Sequence, residues 1–383
     1  MNLEFTEEQK EIKRAASEFA AGEFDSDLAL EFDKEEKFPF EIWKKACGLG
    51  FVGMHFPEEY GGSGLGILEN AIVVEELCRR DSGLGTAIIL SDFASDIILM
   101  RGSEEQKEKY LTPLTKGKAI SSGGFTEPDH GSDITIMSTT ATEDGDEFVI
   151  NGTKAFITNG GIADYTIVLC QTDPDVKPTY RGESTIIVEK DRDGFEAAKY
   201  ENKMGLKMVP TAELSFNDVR VPKENLVGTE NKGFYQALEF FDESRIEISA
   251  QALGIGQGAF DRALNYARER EQFGRKLSDF QVIRHKLSEM ATKLEAARFL
   301  VYRAAWNFDQ GRIDRKITSM AKEYASSVGI EVVNEAIQIF GGYGYMTEYE
   351  VERFYRDIRI TQIYEGTTEI QKNTIAGALV SGA

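Results

Sequence analysis

Apolar positions recur every three or four residues at both ends of this chain and every second residue through its middle, which predicts helices, then strands, then helices again. Thr6 and Gln9 have the spacing of a capping box, and Ile12, Ala16 and Phe19 follow at helical intervals. The same interval predicts helices over residues 68–78, 87–100 and 104–114, with a glycine-rich loop over 57–66. From about Ser121 the period changes to two. Residues 147–150 and 153–158 flank Asn151-Gly152, which reads as a two-residue hairpin turn. Further strands are predicted over 165–170, 184–188 and 211–216. After about Lys232 the helical pattern returns. Phe280, Ile283, Leu287, Met290, Leu294, Ala297, Val301 and Ala304 put one apolar stripe along a long helix, as a helix bundle requires. The chain therefore divides into an N-terminal helical domain over 1–120, a middle β domain over 121–231 and a C-terminal helical bundle over 232–383, an α+β multidomain protein.

Composition narrows the function. A net charge of -21 repels nucleic acid and anionic membrane surfaces, so neither is expected as the main partner. No apolar run approaches the roughly 20 residues of a membrane span, and residues 1–19 read as a polar amphipathic helix rather than a signal sequence. A cytoplasmic protein is the expectation. Cys47, Cys78 and Cys170 are odd in number and widely spaced in apolar surroundings, as buried free thiols would be. His55, His130 and His285 form no metal-ligand spacing, so the chemistry is expected to need no metal.

Five segments combine small residues, hydroxyls, aromatics and charge. In residues 360–371 one carboxylate, Glu365, lies among apolar and small neighbours. Such a group can act as a base, with Tyr364 and Ile363 shielding it, Gly366 letting a ligand approach the backbone, and Thr367 and Glu369 offering polar contacts. An ordinary surface loop explains this window equally well. In residues 125–133, Thr126 and Ser132 could hydrogen-bond a heteroaromatic ring or a phosphate, and a simple connection again accounts for as much. Phe156 and Thr158 share one side of a strand, which suits stacking plus hydrogen bonding to a flat cofactor, although ordinary strand alternation gives the same pattern. Arg270 could pair with a phosphate and Phe273 cover an apolar ring. Gly341 and Gly342, after Gln338, permit close backbone approach to a ligand. No G-x-G-x-x-G follows a strand and no Walker lysine appears, so neither a Rossmann nor a P-loop site is supported.

Taken together, T-E-P-x-x-G-S-D at 126–133, F-I-T-N-G-G at 156–161, R-x-Q-F-G at 270–274, Q-x-x-G-G at 338–342 and Y-E-G-T-x-E-I-Q at 364–371 resemble the acyl-CoA dehydrogenase family over nearly the whole chain. The resemblance implies that family's fold of N-terminal helices, a middle β-barrel-like domain and a C-terminal four-helix bundle, with FAD between the last two. It implies that Phe125, Thr126, Ser132, Phe156 and Thr158 line the flavin, with Phe156 where many relatives carry tryptophan. Arg270, Gln272, Phe273, Gln338, Gly341 and Gly342 would hold the pyrophosphate and adenosine part of an FAD bound mainly to a neighbouring subunit, and Thr367 and Glu369 would touch the same cofactor. The implied assembly is a homotetramer, a dimer of dimers. Glu365 would take the α proton of an acyl-CoA as the β hydrogen leaves as hydride to flavin N5, and electrons would pass to electron-transfer flavoprotein or a similar carrier. Asp242, Arg245, Tyr364, Gly366 and Ser132 would bind the substrate. Some relatives carry the base at the position of Ser244, and a serine there leaves the role to Glu365.

Two departures from the pattern stand out. Asp129 and His130 replace small residues in the T-E-P segment. Asp92 lies in a segment, 90–96, that is a helix lining the acyl pocket in relatives. A charged aspartate buried beside an alkyl chain costs roughly several kcal/mol. Asp92 is then either a solvated or N–H-bonded carboxylate, or a second base or polar contact facing a compact acyl group, as for anaerobic relatives that act on cyclohexane- or cyclohexene-carboxyl-CoA. The expected substrate is short-chain or alicyclic. An oxidase on the same scaffold and a non-catalytic flavin-binding paralogue are the alternatives.

Overall fold

The computed structural model describes residues 4–381. Seven helices come first: α1 (Glu7–Glu23), α2 (Ser26–Glu35), α3 (Phe40–Gly48), α4 (Ile67–Arg80), α5 (Ser82–Ile89), α6 (Ser95–Arg101) and α7 (Glu104–Thr115). The capping box forms at α1. The Thr6 hydroxyl accepts from the Gln9 N–H, the Gln9 side chain accepts from the Thr6 N–H, and Ala16, Phe19 and Ala20 face the core. The helix expected over 87–100 is broken between α5 and α6. Ser91 Oγ donates to the Ile88 carbonyl, Ser95 Oγ donates to the Asp92 carbonyl, and Ala94 adopts φ +70°. Hydroxyls that bond to nearby carbonyls offer the backbone an alternative to the helix ladder, and Asp92 consequently lies on a turn.

The middle of the chain forms one seven-stranded mixed sheet from β1 (Ser121–Gly124), β2 (Thr140–Asp144), β3 (Glu147–Thr158), β4 (Tyr165–Gln171), β5 (Glu183–Glu189), β6 (Phe195–Lys199) and β7 (Thr211–Pro222). The order is β1-β4-β2-β3-β7-β6, with β5 also on β4. The hairpin expected at Asn151-Gly152 is absent: β3 runs straight through it, and the tight turn is at Gly145 instead, between β2 and β3. Asn151-Gly152 makes a bulge against β7. The Asn151 and Asp218 side chains clasp it, and a Cβ on Gly152 (φ +148°) would lie 2.5 Å from Thr139 Oγ1. Close approach, not turn geometry, demands this glycine.

The last third comprises α8 (Gly233–Glu269), a two-stranded ribbon of β8 (Glu271–Gln272) and β9 (Arg275–Lys276), α9 (Gln281–Asp309), α10 (Arg315–Phe340), α11 (Val351–Ile358) and α12 (Thr368–Ser381). At 37 residues α8 is about 55 Å long and packs on α4, α9 and α10. The stripe on α9 is buried from Met290 to Ala304, whereas Phe280, Ile283 and Leu287 are only partly covered. The Asp309 carboxylate at the end of α9 accepts from the Ile67 and Leu68 N–H groups at 2.7 and 3.0 Å, a cap borrowed by α4 that ties the first helices to the bundle. All three cysteines are buried and unpaired. Among the described residues no helix is long and apolar enough to cross a membrane.

Candidate active site

The turn between α11 and α12 carries Glu365 in the left-handed region (φ +56°), followed by Gly366 (φ +85°). A non-glycine residue held there stores on the order of 1–3 kcal/mol, so the surroundings must impose it. They do so through three side chains. Arg245 Nε donates to the Glu365 carbonyl at 3.1 Å, Gln371 Nε2 donates to the Glu365 and Gly366 carbonyls at 3.0 and 2.9 Å, and Lys322 Nζ donates to the Gly366 carbonyl at 2.7 Å. A Cβ on Gly366 would stand 2.7 Å from Gln371 Nε2.

The Glu365 carboxylate accepts a hydrogen bond from Ser244 Oγ at 2.5 Å. Burial raises its pKa, the Ser244 bond and the charges of Arg245 and Lys322 pull it back, and the net direction is upward from the ordinary carboxylate value. Tyr364, the residue before it, donates its hydroxyl to Gln251, which in turn donates to Thr86. Ile363, expected to shield the carboxylate, is instead half exposed. One turn of α8 thus supplies both Ser244, on the carboxylate, and Arg245, on its carbonyl. Asp242, from the same turn, is buried and accepts from Arg315 Nε at 2.8 and 3.2 Å.

Beside Ser244 is a small space lined by His55, Asp92, Asp96, Glu243 and Glu247. A second one shares Asp92 and Glu247 and is otherwise mainly apolar, with Val73, Val74, Ile88 and Ile89. Asp92 therefore faces the space next to the Ser244–Glu365 pair, and Gly53 N–H donates to its carboxylate at 3.0 Å. Burial and the neighbouring Asp96 push it up to about 7, against the pull of His55.

Two of the expected flavin segments meet where the Ala155 N–H, beside Phe156 on β3, donates to the Thr126 carbonyl at 2.9 Å. Phe125 is buried against Phe240, Phe241 and Phe93. Phe156 is 67% exposed, at φ +57°, with its ring stacked on Tyr200 at 5.1 Å. The hydroxyls of Thr126, Ser132 and Thr158 have no partner among the described residues, which leaves them available to a ligand. An exposed aromatic plane beside unengaged hydroxyls fits a flat heteroaromatic cofactor.

A second set lies elsewhere. Arg270, Gln272 and Phe273 sit where α8 gives way to α9, and Gln338, Gly341 and Gly342 at the end of α10. Arg270 lies over the Tyr343 ring at 5.5 Å, which joins the two segments. Phe273 is 94% exposed. From Ser244 to Arg270 the axis of α8 covers about 39 Å, so this lobe does not meet Glu365 within one chain. Thr367 precedes α12 and the exposed Glu369 is on its first turn.

Sequence reasoning missed Lys322, Gln371 and the wall of His55, Asp96, Glu243 and Glu247. Gln371 was in plain view within the 364–371 signature, and Glu243 and Glu247 have the i,i+4 spacing that puts both on one helix face. Nothing local marks His55. Ligand atoms of His55, Asp96 and Glu243 lie within 4.8 Å of one another, a grouping the sequence spacing could not show. His55 Nε2 and Asp96 Oδ1 are 2.6 Å apart, a hydrogen-bond separation. Two ligands of one tetrahedral ion stand about 3.3 Å apart.

The N-terminal, middle and C-terminal domains of acyl-CoA dehydrogenase match residues 6–118, 122–219 and 231–380. The chain belongs to the acyl-CoA dehydrogenase family. It is thus an oxidoreductase acting on CH–CH groups, in a family whose cofactor is FAD. The chain is 44% identical over 382 residues to the short-chain specific acyl-CoA dehydrogenase of Clostridium acetobutylicum, covering 99% of this chain and 100% of the relative. It is 42% identical to a subunit of the caffeyl-CoA reductase-Etf complex of Acetobacterium woodii, covering 98% and 99%. The solved butyryl-CoA dehydrogenase of Megasphaera elsdenii superposes with a TM-score of 0.95 at 40% identity, over 99% and 100% of the two chains.

Proposed function

We propose that this family member dehydrogenates a short acyl-CoA between Cα and Cβ, with Glu365 as the proton acceptor. The observation that carries the reading is the Glu365 carboxylate itself: partly buried, held in a left-handed turn by Arg245, Lys322 and Gln371, and hydrogen-bonded by Ser244. Burial moves its pKa toward working pH, which improves the match between base and task. The Glu365 N–H lies in the same turn and is a candidate donor to the thioester oxygen, where charge develops as the α proton leaves. Relatives named for short-chain acyl-CoA and for acryloyl-CoA support a small acyl group.

Phe125, Thr126, Ser132, Phe156 and Thr158 would hold the flavin ring, and Thr367 and Glu369 would touch the same cofactor. Bound FAD would supply the acceptor for the β hydride. Arg270, Gln272, Phe273, Gln338, Gly341 and Gly342 would serve the cofactor of a neighbouring subunit, since α8 carries them about 39 Å from Ser244. That division supports a homotetramer. Electron-transfer flavoprotein, or a carrier like it, is the proposed acceptor in the cytoplasm, by analogy with the Etf-complex relative. Asp242, Arg245, Tyr364 and Gly366 are proposed to frame the thioester.

Asp92 favours a narrower reading. It brings a second carboxylate to the space beside Ser244, as a compact or alicyclic acyl group with an acidic distal carbon would use. Anaerobic flavin bleaching with butyryl-, cyclohexanecarboxyl- and cyclohex-1-ene-carboxyl-CoA tests both. Bleaching by any of them that disappears in Glu365→Gln supports the assignment of the base, and full activity in that variant sinks it. Unchanged turnover of the ring substrates in Asp92→Asn removes the narrower reading.

A further inference from the structure

Five side chains join the turn of Glu365 to the β domain by hydrogen bonds, and their path crosses all three domains. Tyr364 donates its hydroxyl to Gln251 Oε1 on α8. Gln251 Nε2 donates to Thr86 Oγ1 at 2.8 Å, and Thr86 Oγ1 donates at 2.6 Å to the Ser82 carbonyl, one turn back on α5. Ser82 Oγ donates to Asp357 Oδ2 on α11 at 2.6 Å. The other oxygen of that carboxylate accepts at 2.6 Å from the Leu206 N–H, in the connection between β6 and β7. Gln251, Thr86, Ser82 and Asp357 are fully buried. Where this connection ends, the Pro210 carbonyl accepts from the Asn159 N–H at 2.6 Å, which carries the path into the 156–161 segment of Phe156 and Thr158.

Asp357 is the node of this path. It belongs to the bundle, yet its two donors come from the N-terminal helices and from the β domain. A carboxyl group so deeply buried is costly without donors, so it fixes the two surfaces that supply them. Leu206 is held there at φ +47°, and a Cβ on Gly205 would lie 2.3 Å from the Arg356 carbonyl, so strained backbone is pressed against α11. Such a conformation persists only where its surroundings over-determine it. We propose that Asp357 is a positioning residue for the reaction: through Ser82, Thr86, Gln251 and Tyr364 on one side and Leu206 on the other, it sets the Glu365 turn against the flavin-facing part of the β domain. This rests on the proposed function, in which the proton acceptor and the hydride acceptor are held by different domains. Loss of a proton from Cα and a hydride from Cβ needs both in register, and a misplacement of about 1 Å costs about 10²-fold.

Two substitutions separate positioning from bulk stability. Asp357→Leu removes both acceptors, whereas in Asp357→Asn the amide oxygen still accepts from the Leu206 N–H and the amide nitrogen donates to Ser82 Oγ. On FAD-saturated protein, flavin bleaching by butyryl-CoA should slow by about 10²-fold in Asp357→Leu and recover to within about threefold of the wild type in Asp357→Asn. Exchange of the α hydrogen of butyryl-CoA in D2O, followed by mass spectrometry on protein reduced beforehand with dithionite, reports Glu365 without hydride transfer. It should stay within about threefold of the wild type in both variants, because Arg245, Lys322 and Gln371 hold that turn locally. Amide hydrogen exchange of the FAD-loaded protein gives a readout apart from turnover. Protection over 202–210 should fall in Asp357→Leu, return in Asp357→Asn, and fall also in Ser82→Ala, where the acceptor of the Leu206 N–H is untouched. Equal loss of bleaching and α exchange in Asp357→Leu, an equal loss of bleaching in Asp357→Asn, or no loss in either overturns the proposal. Absence of α exchange in the wild type, or its persistence in Glu365→Gln, overturns the base assignment and this proposal with it. If Asp357→Leu does not fold, Ser82→Ala decides: bleaching slowed by about tenfold with α exchange intact supports the positioning role, and unchanged bleaching refutes it.

Discussion

The turn at Glu365 and the lobe around Phe273 are both parts of the family signature, yet they are built in opposite ways. Glu365 and Gly366 have their carbonyls held by Arg245, Lys322 and Gln371, and the carboxylate by Ser244, so the strained backbone is imposed from within the chain. Phe273 is also left-handed (φ +53°), but it is 94% exposed, and Gly274 and Gly341 next to the lobe meet nothing that a Cβ would strike. Strain that a chain supports by itself marks a finished site. On the function proposed above, strain left in the open belongs to half of a site that a neighbouring subunit completes. The partly uncovered Phe280, Ile283 and Leu287 at the adjoining end of α9 point the same way.

The largest effect should come from Glu365→Gln, which keeps the hydrogen bond to Ser244 but removes the base. Flavin bleaching by a saturated short acyl-CoA should slow by about 10³-fold, the middle of the range for a general base, with FAD retention intact. In the lobe the converse is expected. Arg270→Glu should weaken FAD retention by roughly 10- to 100-fold, the value of a charge-assisted hydrogen bond, and should drive the oligomer apart on sedimentation. Its monomer stability should change little, because the side chain is exposed. If Arg270→Glu kept FAD and assembly while slowing chemistry, the division between the two regions would be broken.

An intermediate effect is expected at Lys322. Its ammonium holds the Gly366 carbonyl and also pulls the Glu365 pKa down. Lys322→Met leaves Gln371 as the clamp, so the turn should survive at a cost of about 1.5–3 kcal/mol for the lost hydrogen bond from a charged donor. The sign for activity follows: with the cation gone Glu365 holds its proton to higher pH, and the acid limb of kcat/KM moves upward. A limb that moves down, or stability equal to the wild type, would count against Lys322 as the clamp.

The order of helices, sheet and bundle was legible because periods of 3.6 and 2 are local properties of the chain, whereas the small and apolar neighbours of Glu365 fitted an ordinary loop equally well and only the family resemblance singled it out. What could not be read depended on contacts across the fold. Asn151-Gly152 has the composition of a hairpin turn, but β7 pairs along both sides of it and Thr139 crowds Gly152, so a bulge replaces the turn. The helix over 87–100 breaks because Ser91 and Ser95 turn their hydroxyls onto nearby carbonyls, which an apolar pattern does not register. His55 meets Asp96 and Glu243 across 41 and 188 residues of sequence, and no motif spans such a gap. Asp92 was legible as an anomaly but not in its setting, since its partners come from three separate elements.

The smallest predicted effect is the finest probe of the turn. The Ser244 hydroxyl donates to the ionised Glu365 carboxylate and so stabilises the charged form. Ser244→Ala removes that donor without touching the three clamps on the backbone, so the geometry should persist and the carboxylate should bind its proton more tightly. The acid limb of kcat/KM should rise by about one unit, since a hydrogen bond to a charged group is worth roughly 1.5 kcal/mol at the low end and one pKa unit corresponds to 1.36 kcal/mol. At alkaline pH the rate should return close to that of the wild type. A fall that is uniform across pH would mean that Ser244 positions the carboxylate instead of tuning it. The same comparison made with Phe273→Ala should show no shift of the limb at all, because nothing in that lobe reaches Glu365 within the chain.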